Sequence, residues 1–355
     1  MASAAHRVLI TASMHLVERG LIPDFVVHFV IRFIVASRAA ALGKRSQAEA
    51  DKYKLGQEAI LIIKNQQHRP CQVSQCESHE LSAEYYHLVL GKQFKDSCCL
   101  FPDAKLPLDD AEDSMLELTC QRAQLRDSQR VLDLGCSWGS LSLYIAAKYP
   151  LSHVTAICSN MAQKLFVSQQ CRQRGLANVQ VMTANHDAFG DSTQYDRVLA
   201  VERLGDPQSY TATLQQIGSW LKADGRCFAQ VVCHQHCSYF LQETAIDCWM
   251  LPHMQPGSTL PSMNLLEHFQ DAVVLEKQWY INGQNYSKTV KAWLRHHDKQ
   301  RKAILCLLQE SYGAGESHKL YAKQRLAYMI QCELFRCAGG TEWGVGHYLF
   351  CNGKS

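Results

Sequence analysis

Charge is what this chain has little of. Asp, Glu, Lys and Arg together make up 19% of its 355 residues, the formal net charge is +3, and no run of Lys or Arg is long. A nucleic-acid partner, which takes a basic stripe or patch, is therefore not expected. Internal repeats and low-complexity segments are lacking as well. With 47% hydrophobic residues, the chain reads as one large globular domain or a core with extensions. A secretory signal is not expected either. The apolar stretch Val8 to Met14 runs at once into His15, Glu18 and Arg19, with no small-residue cleavage site. Phe25 to Ala36 is more apolar, but His28 and Arg32 interrupt it, and the reading is of a run too short to span a bilayer. Asp24, His28 and Arg32 fall four apart, which predicts a narrow polar stripe on an otherwise buried helix. No membrane partner follows from this. Cysteine is the opposite case, with 16 residues. In a long chain with many of them inside apolar elements, they read as reduced thiols of a cytoplasmic protein, not a disulfide framework.

What is present is organised around Arg130-Val-Leu-Asp-Leu-Gly-Cys-Ser-Trp-Gly139. Val131 to Leu134 is a short strand, Gly135 and Gly139 mark a tight turn, and Ser140 to Lys148 reads as a helix. A strand, a glycine-bearing turn and a helix N-terminus bring backbone N–H groups to a cofactor at the strand's carboxyl end. The G-x-G-x-x-G spacing of a dinucleotide site is missing. An acid two residues before the first glycine, Asp133, suits S-adenosyl-L-methionine (SAM) better, since it can orient the turn and the methionine ammonium.

The rest of the chain supports that placement. Residues 5–65 read as helices, broken at Gly20-Leu-Ile-Pro23. A helix is predicted over Glu84 to Leu90 with Gly91 as its C-cap, and an amphipathic helix over Asp109 to Gln124. Strands at His153–Cys158, Val179–Met182, Tyr195–Val201 and Arg226–Cys233 alternate with helices at Met161–Arg174 and about 208–222. This β-α alternation predicts an α/β fold with a mostly parallel, doubly wound sheet. Beyond it come a Pro/Gly-rich loop over Met250 to Ser262, a strand over Val273 to Ile281, helical stretches at about 287–311 and 317–336, and a last strand, Gly346 to Phe350. The expected division is an N-terminal helical extension (1–75), a Rossmann-like core (76–240), and cap helices with closing strands (241–355). The cap belongs over the carboxyl ends of the strands.

With these segments placed, the chain resembles the coclaurine N-methyltransferase family, SAM enzymes related to cyclopropane-fatty-acid synthases. The matching stretches include Gly20-Leu-Ile-Pro-Asp24, Leu90-Gly-Lys92, Ser97-Cys-Cys99, Asp110-Ala-Glu112, Met115-Leu-Glu-Leu118, Arg122-Ala-Gln124, Val131-Leu-Asp-Leu-Gly-Cys136, Gln163-Lys164, Cys233-His234, Leu260-Pro-Ser262, Phe269-Gln-Asp271 and Glu342-Trp343. The resemblance implies a SAM-dependent methyltransferase core with a helical amine pocket, S-adenosyl-L-homocysteine (SAH) as product, a small-molecule amine as partner, and room for a homodimer. It puts Ser97, Asp133 and Gly135 at the methionine part of SAM, Ser159, Asn160 and Gln163 at the ribose and adenine, and Asn185 and His186 beside adenine, where the family usually has Asp-Ile. It makes Glu202 and Glu80 the acids that hold the amine. Glu84 is a further candidate for substrate contact, and Tyr286 and Tyr328 are candidates to line an aryl-amine pocket through cation–π contacts.

Departures cluster at the reacting centre. Where the family commonly reads Glu-x-Phe-Glu-His-Met-x-Asn-Tyr, this chain reads Glu202-Arg-Leu-Gly-Asp-Pro-Gln-Ser-Tyr210. The second Glu is Gly205 and the His is Asp206, an acid that can stand in as a hydrogen-bonding partner. A second family His is Val231, and the middle glycine of the SAM turn is Ser137. An alkylamine has a pKa of about 10.4, like that of Lys, so it arrives protonated and needs an acceptor or a desolvating pocket. The expected function is transfer of methyl to the nitrogen of a small aralkylamine or alkaloid, of phenylalkylamine or benzylisoquinoline type. Two alternatives stand beside it: a SAM-binding relative with lost turnover, and methylene transfer to lipid. Cys233-His-Gln-His-Cys237 offers soft ligands, but adjacent Cys and His rarely converge on one ion, and no metal is assigned.

Overall fold

The computed structural model describes residues 22–50, 81–184, 189–190, 192–204, 207–241 and 259–353. Seven strands form one sheet in the order β3-β2-β1-β4-β5-β9-β8. They are β1 (Arg130–Leu134), β2 (His153–Cys158), β3 (Val179–Thr183), β4 (Tyr195–Val201), β5 (Leu221–His234), β8 (Val273–Ile281) and β9 (Trp343–Asn352). A pair of two-residue strands, β6 (Tyr239–Phe240) and β7 (Thr259–Leu260), lies beside it. The first five strands are parallel, and β9 runs antiparallel to both β5 and β8. This is the α/β, mostly parallel sheet expected from the alternation. The chain beyond residue 241 supplies its last two strands.

Period-two alternation decides which residues meet which helices. Val131, Val154, Leu199 and Phe228 face Leu116 and Cys120 of α3 (Leu108–Arg122) and Leu141 and Ile145 of α4 (Ser140–Lys148). Leu132, Val198, Tyr348 and Phe350 face Tyr210, Leu214, Ile217 and Trp220 of α6 (Tyr210–Trp220). The helix α5 (Met161–Gln173) packs beside β2 and β3.

A separate core belongs to the cap: α1 (Asp24–Ala50), α2 (Ala83–Val89), α7 (Gln284–Lys299), α8 (Arg301–Tyr312) and α9 (Ala314–Arg336). The cap joins the core through hydrogen bonds. Thr289 of α7 accepts the Cys99 N–H at 3.0 Å, and Asn285 accepts that of Phe101 at 2.9 Å.

Three local expectations are corrected. The helix α2 does not end in a glycine C-cap: its cap residue is Leu90, in extended geometry. Gly91 has another reason to be glycine, since an added Cβ would stand 2.6 Å from Glu112 Oε2. The interrupted run at Phe25 continues into a helix whose Asp24–Gly43 part is, by length and composition alone, long and apolar enough to cross a membrane. Nor is α1 buried all round that polar stripe, whose Asp24 and Arg32 side chains are themselves more than half exposed. Val27, Ile31 and Val35 are buried against the cap, and His28 and Arg32 sit beside them, reaching Glu333 at 2.7 and 2.8 Å. Arg325 bridges Asp24 and Asp298. Phe25, Phe29 and Phe33 are left 69–75% exposed.

Glu333 thus fastens α1 to α9. Burial raises its carboxyl, but hydrogen bonds from His28 and Arg32 outweigh that and hold it at about 2 against an ordinary 4.5. A depressed carboxyl pKa stabilises the fold above pH 4.5, and that contribution fades as pH falls toward 2. Glu333→Gln is expected to lose about 1–3 kcal/mol at pH 7, with the exposure of Arg32 favouring the lower end. Urea unfolding at pH 7, 5 and 3.5 checks this: the gap between wild type and variant should narrow toward acid.

Candidate active site

The turn after β1 is built from left-handed backbone: φ is +90° at Gly135, +51° at Ser137 and +80° at Gly139. A Cβ on Gly139 would meet Val167 at 2.8 Å, and one on Gly135 would strike the Arg203 side chain at 1.8 Å. Ser137 holds a conformation that favours glycine, and its hydroxyl is tied across the turn by donating to Asp96. Asp133, almost fully buried, accepts from the Ser142 hydroxyl at 2.6 Å. Burial pushes its carboxyl up to about 6, against the lowering effect of Ser142.

Opposite the turn lies the irregular segment 91–97, which a single carboxylate shapes. Glu112 of α3, with no exposed surface, accepts the N–H groups of Gly91 (3.1 Å), Gln93 (2.8 Å) and Lys95 (3.3 Å). Burial raises its carboxyl to about 7 even so. The segment delivers Lys95, Asp96 and Ser97 to a cavity of about 230 Å³ whose other walls include Asp133, Gly135, Ser137, Glu202 and Arg203. Lys95 and Ser97 are buried and hydrogen-bonded to each other.

At the end of β2, Asn160 and Gln163 cap α5 reciprocally. Asn160 Oδ1 accepts the Gln163 N–H at 2.8 Å, and Gln163 Oε1 accepts that of Ser159 at 3.1 Å. Arg203 spans the gap between the two sides: its Nη2 donates to Ser159 Oγ at 3.1 Å and its Nε to Gly135 O at 3.4 Å.

Glu202 closes β4 at φ +55°. Its N–H donates to Gln230 O at 2.8 Å, and Gln230 Nε2 returns a bond to Oε1 at 3.2 Å. The Tyr286 hydroxyl, buried on α7 and stacked on Phe335, lies 3.4 Å from both carboxylate oxygens. The structure therefore brings Ser97, Asp133, Gly135 and Glu202 to one cavity, with Tyr286 at its edge and Ser159 joined to it through Arg203. Two substrate candidates fall elsewhere. Glu84 is exposed in the first turn of α2, where its own N–H and the Ser82 hydroxyl hold its carboxylate. Tyr328 is buried within the cap, with its hydroxyl 3.2 Å from that of Tyr85. Glu80, Asn185, His186 and Asp206 lie outside the described residues.

Reading by motif passed over Lys95, Asp96, Arg203 and Gln230. Gln230 carried a signal, as the one polar residue in Cys227-Phe-Ala-Gln-Val-Val-Cys233. Lys95 carried none, because no periodicity applies to an irregular segment. Cys233-His-Gln-His-Cys237 proves to be a turn in which His234 Nδ1 accepts the backbone N–H of His236 and Cys237.

The arrangement fits SAM by its chemistry. A buried cation beside a hydroxyl (Lys95, Ser97) suits the methionine carboxylate, and a buried carboxylate (Asp133) suits its ammonium. Gly135 offers a Cβ-free approach, and the atoms nearest to where a Cβ would stand belong to the flexible Arg203 side chain.

Comparison with known proteins agrees. The model of the mycolic acid cyclopropane synthetase family matches residues 66–329. The chain is 31% identical to the (S)-coclaurine N-methyltransferase of Thalictrum flavum subsp. glaucum over 98% of its own length and 97% of that protein. It is 30% identical to the pavine N-methyltransferase of the same plant over 77% and 78%. The crystal structure of coclaurine N-methyltransferase bound to N-methylheliamine and SAH superposes with a TM-score of 0.88 at 28% identity, covering 97% of this chain and all of that one.

Because Glu112 satisfies three backbone donors, Glu112→Ala leaves them unmet, at about 1–3 kcal/mol each if water does not enter. The expected result is a loss of several kcal/mol in denaturant unfolding, with faster amide hydrogen exchange at Gly91, Gln93 and Lys95. Unchanged protection at those three amides would overturn Glu112's role in shaping the segment.

Proposed function

The chain belongs to the coclaurine N-methyltransferases within the mycolic acid cyclopropane synthetase family, and on that premise we propose that it methylates the nitrogen of a small aralkylamine or alkaloid of phenylalkylamine or benzylisoquinoline type, using SAM. The observation that carries this reading is Glu202. Its carboxylate stands in the wall of the cofactor cavity beside the Gly135 turn, with a hydroxyl from the cap on its other side.

SAM, when bound, supplies a methyl group on a sulfonium and leaves as SAH. The chain's residues do the rest. Lys95, Ser97 and Asp133 anchor the zwitterionic end, so the methyl group has a fixed place. The amine enters as an ammonium, which the Glu202 carboxylate attracts and whose proton it accepts, leaving the nitrogen lone pair free. The buried Tyr286 hydroxyl limits where that carboxylate points. The apolar cap around it, with Phe335 and Trp293 against Tyr286, disfavours the charged amine and excludes water. A cytosolic setting is part of the proposal: the thirteen described cysteines are free thiols, which suits a reducing compartment.

Two outcomes test it. Single-turnover transfer of labelled methyl to a panel of aralkylamines should be robust in the wild type and at least about 10²-fold slower in Glu202→Gln. Tight SAM binding with no transfer to any amine would favour the lost-turnover alternative instead. SAM affinity should also depend on pH through Asp133. Its carboxyl sits at about 6 in the free protein, and an ammonium beside it favours the ionised form. Affinity is then highest above pH 6 and weakens as pH falls below it. Calorimetric titration from pH 8 to 5 checks this, and Asp133→Asn should bind weakly with a flatter profile.

A further inference from the structure

Lateral to Glu202 runs a line of buried polar groups that methyl transfer, as derived above, leaves unused. Gln230 of β5 stands directly opposite His347 of β9 in the antiparallel register, and Trp279 of β8 stands opposite His347 on its far side. Neither Gln230 nor His347 has exposed surface. His347 Nδ1 lies 2.8 Å from Nη1 of Arg122, the last residue of α3, whose guanidinium sits over the Trp279 ring at 4.8 Å from its centre. His347 Nε2 lies 3.1 Å from Gln230 Oε1, and Gln230 Nε2 reaches Glu202 Oε1 at 3.2 Å.

The direction of each bond follows from its neighbour. A guanidinium only donates, so His347 Nδ1 accepts, and the ring's proton is on Nε2. Burial, then the charges of Arg122 and Lys95, hold the imidazole pKa well below its ordinary value, so the ring is neutral. Nε2–H donates to the Gln230 carbonyl oxygen, which leaves the Gln230 NH₂ facing Glu202. Every donor in the line points toward the carboxylate. Two fully buried polar side chains at paired positions of a central sheet are costly to desolvate, and an apolar pair would pack there without that cost.

We propose that Arg122, His347 and Gln230 are positioning residues for methyl transfer, a one-way chain of hydrogen bonds that fixes the Glu202 carboxylate as an acceptor facing the amine. This rests on the reading of Glu202 as the amine-facing acid.

The test uses the full-length protein, with each variant made both alone and in Glu202→Gln. Arg122→Met and Gln230→Leu should lower kcat about ten-fold, a fraction of the 10²–10⁴ that a general base contributes. KM for the amine and SAM affinity should stay within about two-fold, since the chain acts on the step and not on binding. His347→Gln keeps an acceptor and a donor and should recover most of the rate that His347→Leu loses. In Glu202→Gln, none of these substitutions should slow transfer further. Arg122 is partly exposed at a helix end, so its variant tests the chain even if a substitution of buried His347 fails to fold. The proposal is overturned if Arg122→Met and Gln230→Leu slow Glu202→Gln by the same factor as the wild type, or if they leave the wild-type rate intact while Glu202→Gln is slow. Undiminished transfer in Glu202→Gln alone overturns the reading of Glu202 and this proposal with it.

Discussion

A carboxylate at the end of a strand can turn to solvent, to the sheet or to a neighbouring loop unless both its backbone and its side chain are held. In this protein one residue of the adjacent strand holds both. Gln230 accepts the N–H of Glu202 with its main-chain carbonyl and donates to the Glu202 carboxylate with its side-chain amide. Glu202 can then persist at φ +55°, a conformation that costs a bulky residue about 1–3 kcal/mol when nothing compensates. Because Gln230 lies between β4 and β9, the register of three strands decides where Glu202 points. Tyr286 adds a contact from the cap. Strand β4, strand β5 and helix α7 must all be in place before the carboxylate has its geometry, so the site is a product of the whole fold and not of a local motif.

The cofactor side follows the same logic with other groups. Segment 91–97 has no regular structure, and its shape comes from Glu112 gathering three backbone N–H groups. Three backbone donors offset part of the cost of burying that carboxylate, and burial still raises its pKa. Lys95 is brought by this segment to the cavity that Asp133 of β1 also lines, so a buried amine and a buried carboxyl share one site, ahead of the turn at Gly135–Gly139. Ser137 replaces a glycine in that turn and bonds to Asp96 on the segment, which ties the two walls together.

How much of this was legible depended on whether a residue's role was periodic or relational. The strand–turn–helix at Arg130–Lys148, the parallel sheet and the closing strand were readable because short apolar runs of strand length alternate with turn residues and helix-length segments. Asp133 and Gly135 were readable because they sit at fixed offsets from those elements, whereas Ser97 and Glu202 were named only by the family resemblance. The facing of α1 was not. Asp24, His28 and Arg32 look like the one solvated stripe of a buried helix, but their pairing with Glu333 and Arg325, some 300 positions away, orients the helix so that Phe25, Phe29 and Phe33 stay outside. Glu112, Lys95 and Arg203 were silent for the same reason. Each acts through a partner on another element, and nothing in their own neighbourhood announces the pairing. Gln230 and His347 lie between these cases: a single polar residue inside an apolar strand is a visible anomaly, but its partner is set by strand order.

The departures around the reacting centre gain a physical meaning from this. Val231, where the family often has a histidine, is buried with Cys227, Ala229 and Cys233 on the sheet face that packs against α6. An imidazole there would sit on the opposite face from Gln230, since adjacent strand residues point apart. The chain does carry a buried imidazole at His347, on the face of Gln230, but it is neutral and reaches the acid only through an amide. It can orient Glu202; it cannot exchange a proton with the amine. A carboxylate held by neutral donors and faced by a phenol has less basicity to offer than an imidazole, so the chemistry leans on desolvation of the amine and on placement. Placement is what the sheet register, the Gln230 clamp and the cap supply.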